Sequence, residues 1–170
     1  GDIDGDGDVD IVIASVFNDQ AAVLFNDGSG SFLDGLPQFV GDAPQALALA
    51  DIDGDGDLDL VAANGGSCPD FSAGIGVLFN AGDGTFDNRT DFAVGDDLSD
   101  VALGDIDEDG DPDIVLASAG SDEVIILRNA GGGAFGHAMP YAVGEGPTGV
   151  ALGDVDSDGD VDVVASNGFT

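Results

Sequence analysis

The nine residues Asp51-Ile52-Asp53-Gly54-Asp55-Gly56-Asp57-Leu58-Asp59 decide the fold, because the same segment returns three more times in the chain. The other copies run from Asp2 to Asp10, Asp105 to Asp113 and Asp154 to Asp162, at offsets of 49, 54 and 49 residues. All four read D-x-D-x-D-G-x-x-D. A fixed period near 50 residues marks an architecture in which one supersecondary unit stacks on the next. Two further landmarks keep the same phase. Leu24 to Phe32, Leu78 to Phe86 and Leu127 to Phe135 match one another, and a Val-Gly pair (Val40, Val94, Val143) precedes each later acidic segment. One insertion, Gly65 to Ala73, accounts for the longer middle offset and carries Cys68.

Each unit predicts four short strands. After the acidic segment comes a nearly continuous apolar run (Val9 to Ala14, Leu58 to Ala63, Asp113 to Ala117, Val161 to Ala165), the pattern of a strand buried on both faces. A hairpin follows, with a turn of the type Asn-Ala-Gly-Asp-Gly in which Asn and Gly are expected to supply positive φ angles. The last strand (Ala46 to Ala50, Val101 to Leu103, Val150 to Leu152) alternates small and large residues, as a crowded, tapering centre requires. Helical periodicity is absent, which excludes a helical solenoid. The reading is an all-β chain of β-propeller blades or a stacked β-repeat, with an irregular β-sandwich as the competing architecture.

The spacing inside the acidic segment has a chemical reason. Calcium takes six to eight oxygens, and carboxylates at alternate positions around a Gly-enabled turn converge on one ion. Without a cation, two carboxylates about 4 Å apart repel by roughly 4 kcal/mol at an effective dielectric near 20. A solvated acidic turn explains one such copy, but four copies in register with Gly at the same place point to metal sites. An EF-hand needs Glu at position 12 and flanking helices. Position 12 here is Ile13, Ala62, Leu116 and Ala165. Magnesium prefers fewer protein oxygens and retained waters, so calcium is the expected cofactor, up to four ions. The predicted side-chain ligands are Asp2, Asp4, Asp6 and Asp10; Asp51, Asp53, Asp55 and Asp59; Asp105, Asp107, Asp109 and Asp113; and Asp154, Asp156, Asp158 and Asp162. By analogy with EF-hand loops, the main-chain carbonyls of Asp8, Asp57, Asp111 and Asp160 complete the shells.

Loops, Phe-bearing hairpins and Val-Gly steps together resemble FG-GAP/VCBS repeats, the blade units of integrin alpha-type β-propellers, over nearly the whole chain. The resemblance implies that each calcium loop joins the innermost strand of a blade to the second. The Phe-Gly element is degenerate here (Phe39, Phe92, Tyr141). Against the seven blades usual in that family, the chain holds about three and a half: a partial blade over 1–44, blades over 45–97 and 98–146, and a partial blade over 147–170. The first blade lacks the strand that would precede Asp2, and the last stops near Asn167. The ring is therefore expected to close through further blades or a second copy.

The chain carries 35 Asp and Glu against 2 Lys and Arg, a formal net charge of -33 over 170 residues. Such a surface repels phosphate backbones and anionic headgroups, so no nucleic acid and no direct membrane insertion are expected. Disorder is not implied, since 43% of residues are apolar. The acidic segments contain 21 of the 35 acids, and four Ca²⁺ would bring the formal charge to -25. No run approaches 18 apolar residues, and no signal peptide is visible in a chain that starts within a unit. One cysteine excludes an intrachain disulfide and thiol-ligated zinc or iron-sulfur sites.

Signs of catalysis are thin. His137 is the single histidine and has no echo in the other units. Ser15, Ser67, Ser118 and Ser166 have no repeated base beside them, and the remaining 14 acids form no distinctive acid/base pair. Arg128 stands where the sister units have Phe25 and Phe79. The expectation is a non-enzymatic, calcium-stabilised propeller segment of a secreted or cell-surface protein, mediating adhesion or recognition through a protein or carbohydrate ligand. The alternatives are an accessory or catalytic propeller of a secreted polysaccharide-processing enzyme and a structural spacer in a large surface protein.

Overall fold

The computed structural model describes residues 1–66 and 74–168. Cys68 and most of the Gly65 to Ala73 insertion lie outside the described residues. Fourteen strands and no helix occur among the described residues. The first sheet holds β1 (Ile11–Ser15), β2 (Gln20–Asn26), β3 (Phe32–Asp34) and β4 (Gln38–Phe39). The second runs β5 (Pro44–Ala50), β6 (Asp59–Asn64), β7 (Gly74–Asn80), β8 (Phe86–Ala93), and the third β9 (Leu98–Gly104), β10 (Asp113–Ser118), β11 (Glu123–Leu127), β12 (Met139–Ala142). A two-stranded sheet pairs β13 (Pro147–Gly153) with β14 (Asp162–Asn167). Every pairing is antiparallel and, except that β4 pairs β2 alongside β3, between neighbours in sequence, the meander of a propeller blade, and no sheet closes on itself.

The outer strands of the first and third sheets are interrupted. Pro37 separates β3 from β4, where the missing N–H and fixed φ interrupt the ladder. In the third sheet, Gly131, Gly132 and Gly133 all have positive φ, and a single bridge, Asn129 to Phe135, precedes β12.

The sheets stack face to face, with β9 against β5 on one side and β13 on the other. Between the second and third sheets lies a core that includes Val61, Ile75, Val77, Ile114, Leu116 and Ile125; Ile3, Val23, Val40, Leu60 and Leu78 fill the space between the first and second. Burying each such side chain contributes about 1.5 to 3 kcal/mol. With a sheet on either side, β6 and β10 are buried at every residue. The same expectation does not hold for β1 and β14, which have a neighbouring sheet on one side only and leave Ile11, Ile13 and Val164 exposed.

Outer contacts repeat the scheme. The Arg89 guanidinium of β8 sits 4.5 Å from the ring centroid of Phe39 in β4, and Phe92 meets Phe135 edge to face at 5.5 Å. Further in, Phe25 lies against Gly84 and Phe79 against Gly133, in the hairpin turn of the next sheet. A Cβ at Gly84 would come within 2.5 Å of the Phe25 ring, and one at Gly133 within 2.7 Å of Phe79. These glycines are needed for closeness as well as for φ.

Candidate metal centre

The second, third and fourth acidic segments each link the innermost strand of a sheet to the next, as between β5 and β6, and the first leads into β1. The turn is built by the aspartates themselves. In the second copy, Asp51 Oδ1 accepts the amides of Gly54 (2.8 Å) and Asp55 (3.1 Å), Asp51 Oδ2 accepts that of Gly56 (3.0 Å), and Asp55 Oδ1 accepts that of Asp57 (2.9 Å). Short side-chain oxygens bonding amides just ahead of them are the reason Asp serves here where Glu, one methylene longer, does not. Positions four and six both take positive φ. Gly fills position six throughout, while position four is Gly5, Gly54, Glu108 (59°) and Ser157 (65°). The strain at Glu108 and Ser157 marks a backbone path held by its surroundings rather than by local preference.

The ninth aspartate is a bracket. Asp59, 0% exposed, accepts the Ile52 amide at 2.9 Å on Oδ2 and the Asn80 amide at 2.8 Å on Oδ1. Asp10 holds Ile3 and Asn26 (both 2.8 Å), and Asp113 holds Ile106 (3.1 Å) and Asn129 (2.9 Å). Asp162 holds Val155 at 2.9 Å.

Carboxylate oxygens converge in all four segments. One oxygen from each of Asp51, Asp53 and Asp59 lies within 4.8 Å of the others, and the same holds for Asp105, Asp107, Asp113 and for Asp154, Asp156, Asp162. In the first copy the trio is Asp2, Asp4 and Asp6. Three of the four predicted side chains thus meet in every case. Asp55, Asp109 and Asp158 stay outside their trios, each accepting an amide two residues ahead. Asp10 is outside in the first copy, where the Asp6 amide bonds Asp4 at 3.3 Å rather than Asp2. The side chains of Asp8, Asp57 and Asp111 lie against Gly28, Gly82 and Gly131 of the hairpin turns. Asp160 bonds Asp158 Oδ1 through its amide.

The donor set is all oxygen and anionic, and one atom in it has no other use: Asp2 Oδ1 is buried without a hydrogen-bond partner. A buried, unpaired carboxylate oxygen is costly unless a cation meets it. The trios therefore fit a hard divalent cation such as Ca²⁺, held by the carboxylates just named. Loop 3 differs in one respect. Arg128 Nη1 donates to Asp107 Oδ2 at 2.7 Å, so a guanidinium already neutralises part of that trio.

Burial raises the Asp59 and Asp113 carboxyls above their ordinary range, against the opposing effect of their amide bonds. Asp4 and Asp53 are raised too, by desolvation first and then by their neighbours Asp6 and Asp55. Asp27 and Asp83, in the hairpin turns, are lowered by the hydroxyls of Ser29 and Thr85. A raised carboxyl favours the folded state at low pH, and that contribution is lost as pH rises through the folded value. The lowered pair act only below the ordinary range. As pH falls through the raised carboxyl values, the protein in chelator should therefore melt at higher temperature, helped by reduced self-repulsion. With calcium the trend should reverse, because protons compete for the ligands. Parallel melting curves in the two buffers would contradict this.

Sequence reading missed the hairpin asparagines. They were expected to supply positive φ, yet that falls to Gly28, Gly30, Gly82 and Gly84 and to Gly131 through Gly133. Asn80 acts through its side chain instead, its Oδ1 accepting the amides of Gly82 and Gly84 (both 3.1 Å). The available signal was the recurrence of Asn26, Asn80 and Asn129 in phase with the acidic segments.

Four-stranded antiparallel sheets, stacked in sequence, with an acidic loop leading from β5 to β6, β9 to β10 and β13 to β14, define a repeat of β-propeller blades. The chain belongs to the FG-GAP-like repeat family, which matches residues 2–62, 51–116 and 105–165. No curated protein matches it. Among solved structures it is similar to a lectin of Agrocybe aegerita described as specifically recognising non-reducing terminal N-acetylglucosamine. That likeness has 26% identity and a TM-score of 0.54, covering 82% of this chain and 36% of the lectin. It also resembles BBS1N, solved in complex with ARL6DN and soaked with lead, at 16% identity and TM-score 0.58, covering 97% of this chain and 51% of that one. The second likeness speaks to the fold alone. The chain spans about a third and a half of these two chains. Among the described residues no helix is long and apolar enough to cross a membrane.

Proposed function

We propose that the chain is a non-enzymatic propeller segment whose four acidic loops each hold a structural Ca²⁺, in a secreted or cell-surface protein that mediates adhesion or recognition. The observation that carries this reading is the repetition of one geometry: in four loops of different local sequence, three carboxylate oxygens gather within 4.8 Å. A solvated acidic turn has no reason to converge its charges. Each ion would offset the repulsion of its trio, and those in the three later loops would tie the innermost strand to the second, so binding adds to stability by mass action. Affinity near about 10⁻⁴ to 10⁻³ M, the range of extracellular modules, suits such a role. Its test is calorimetric titration. Calcium should bind with a stoichiometry of four, and Asp53→Ala should leave three. No uptake of calcium, or an unchanged stoichiometry in the variant, contradicts the assignment.

A carbohydrate is the ligand class favoured for recognition, on the strength of the 26% identity to the Agrocybe aegerita lectin across 82% of this chain. Titration with N-acetylglucosamine-terminated glycans addresses it.

A further inference from the structure

The metal loops are separate in sequence but joined in space by two buried side chains. Asn80 is 5% exposed and Asn129 only 1%. Each belongs to the hairpin of one sheet and reaches the loop of the sheet before it. Asn80 Nδ2 donates to the Ile3 carbonyl of loop 1 at 2.8 Å, while its backbone amide donates to Asp59 of loop 2. Asn129 Nδ2 donates to the Ile52 carbonyl of loop 2, also at 2.8 Å, while its amide donates to Asp113 of loop 3.

The bonds form one line. The Ile3 amide donates to Asp10, the Ile3 carbonyl accepts from Asn80, and Asn80 donates to Asp59. From Asp59 the line passes through the Ile52 amide, the Ile52 carbonyl and Asn129 to Asp113. In loops 2 and 3 the bracket aspartate is also a member of the converging trio. Among the described residues loop 4 has no such bridge.

We propose that Asn80 and Asn129 couple neighbouring cation loops, so that filling one loop raises the affinity of the next. The inference rests on the reading of the loops as calcium sites. Fixing Asp59 in loop 2 fixes the Asn80 backbone, and with it the side chain that orients Ile3 and the loop 1 turn. Loop 1 then has less freedom to lose when it binds, which is positive coupling without a change of shape. Coupling of this kind is reciprocal, so loop 1 must favour loop 2 by the same factor. Loop 4 lies outside the line and is an internal control.

The test is a calcium chloride titration followed by NMR at Gly7, Gly56, Gly110 and Gly159, the sixth residue of each loop, which reports each site separately. Disabling loop 2 with Asp53→Ala should move the calcium midpoints of loops 1 and 3 upward by on the order of 5- to 10-fold and leave loop 4 unmoved. Asn80→Asp keeps an acceptor for Gly82 and Gly84 but loses the donor to Ile3. With Asn80→Asp already in place, Asp53→Ala should no longer shift loop 1, while loop 3 keeps its shift. If Asn80→Asp fails to fold, the Asp53→Ala arm still decides. Unmoved midpoints in loops 1 and 3 overturn the coupling and leave the calcium reading intact. Calcium that shifts no loop glycine in the native protein removes both.

Discussion

Withdrawing calcium should lower the thermal midpoint of this protein by about 10 to 40 °C. At about 10 mM calcium and dissociation constants of about 10⁻⁴ to 10⁻³ M, each site contributes roughly 1.4 to 2.7 kcal/mol. Four sites together contribute roughly 6 to 11 kcal/mol, and a chain of this size shifts by about 2 to 4 °C per kcal/mol. Residual binding to the acidic unfolded chain works against the upper end of that range. Differential scanning calorimetry in calcium and in EDTA measures the shift, and magnesium at the same concentration should restore only part of it. An equal midpoint in both buffers would mean that the carboxylates repel one another no more than the turn bonds already offset, and that no ion is held.

A second large effect separates the two jobs of the loop aspartates. Asp59→Ala should cost about 2 to 5 kcal/mol of unfolding free energy in EDTA as well as in calcium, because two buried amides, Ile52 and Asn80, lose the carboxylate that accepts them. Asp53→Ala should cost one site's worth in calcium and nothing in EDTA. Without a cation Asp53 is a carboxylate held above its ordinary range by desolvation and by Asp55, so its removal relieves repulsion. Urea unfolding of both variants in both buffers gives the comparison. If the two lose the same amount in EDTA, Asp59 is not a bracket.

These predictions show which parts of the protein were legible in its residues. The period, the strand order and the placement of the loops followed from local signals, since D-x-D-x-D-G-x-x-D, the Asn-x-Gly turns and the apolar runs each act within a few residues. The family match over residues 2–165 bears out the fold and the repeat. The loop composition pointed to the aspartates but not to their division of labour. That Asp59 is a bracket depends on Asn80, 21 residues away. The contact between Asn80 and Ile3 spans 77 residues and arises only when two sheets stack. The open faces of β1 and β14 were hidden for the same reason: an apolar run says that a strand can be covered on both sides, not that a neighbour stands there.

The ring-on-glycine contacts have a consequence for how such a chain grows. A unit that carries a phenylalanine facing forward and a glycine facing back brings both halves of its own joint, as Phe25 with Gly84 and Phe79 with Gly133 illustrate. Gene duplication of the whole unit then yields copies that fit their parents without further change, and recombination between copies preserves the joint. The third unit departs from this joint: Arg128 stands in the place of Phe25 and Phe79, and its guanidinium bonds Asp107 of its own acidic loop.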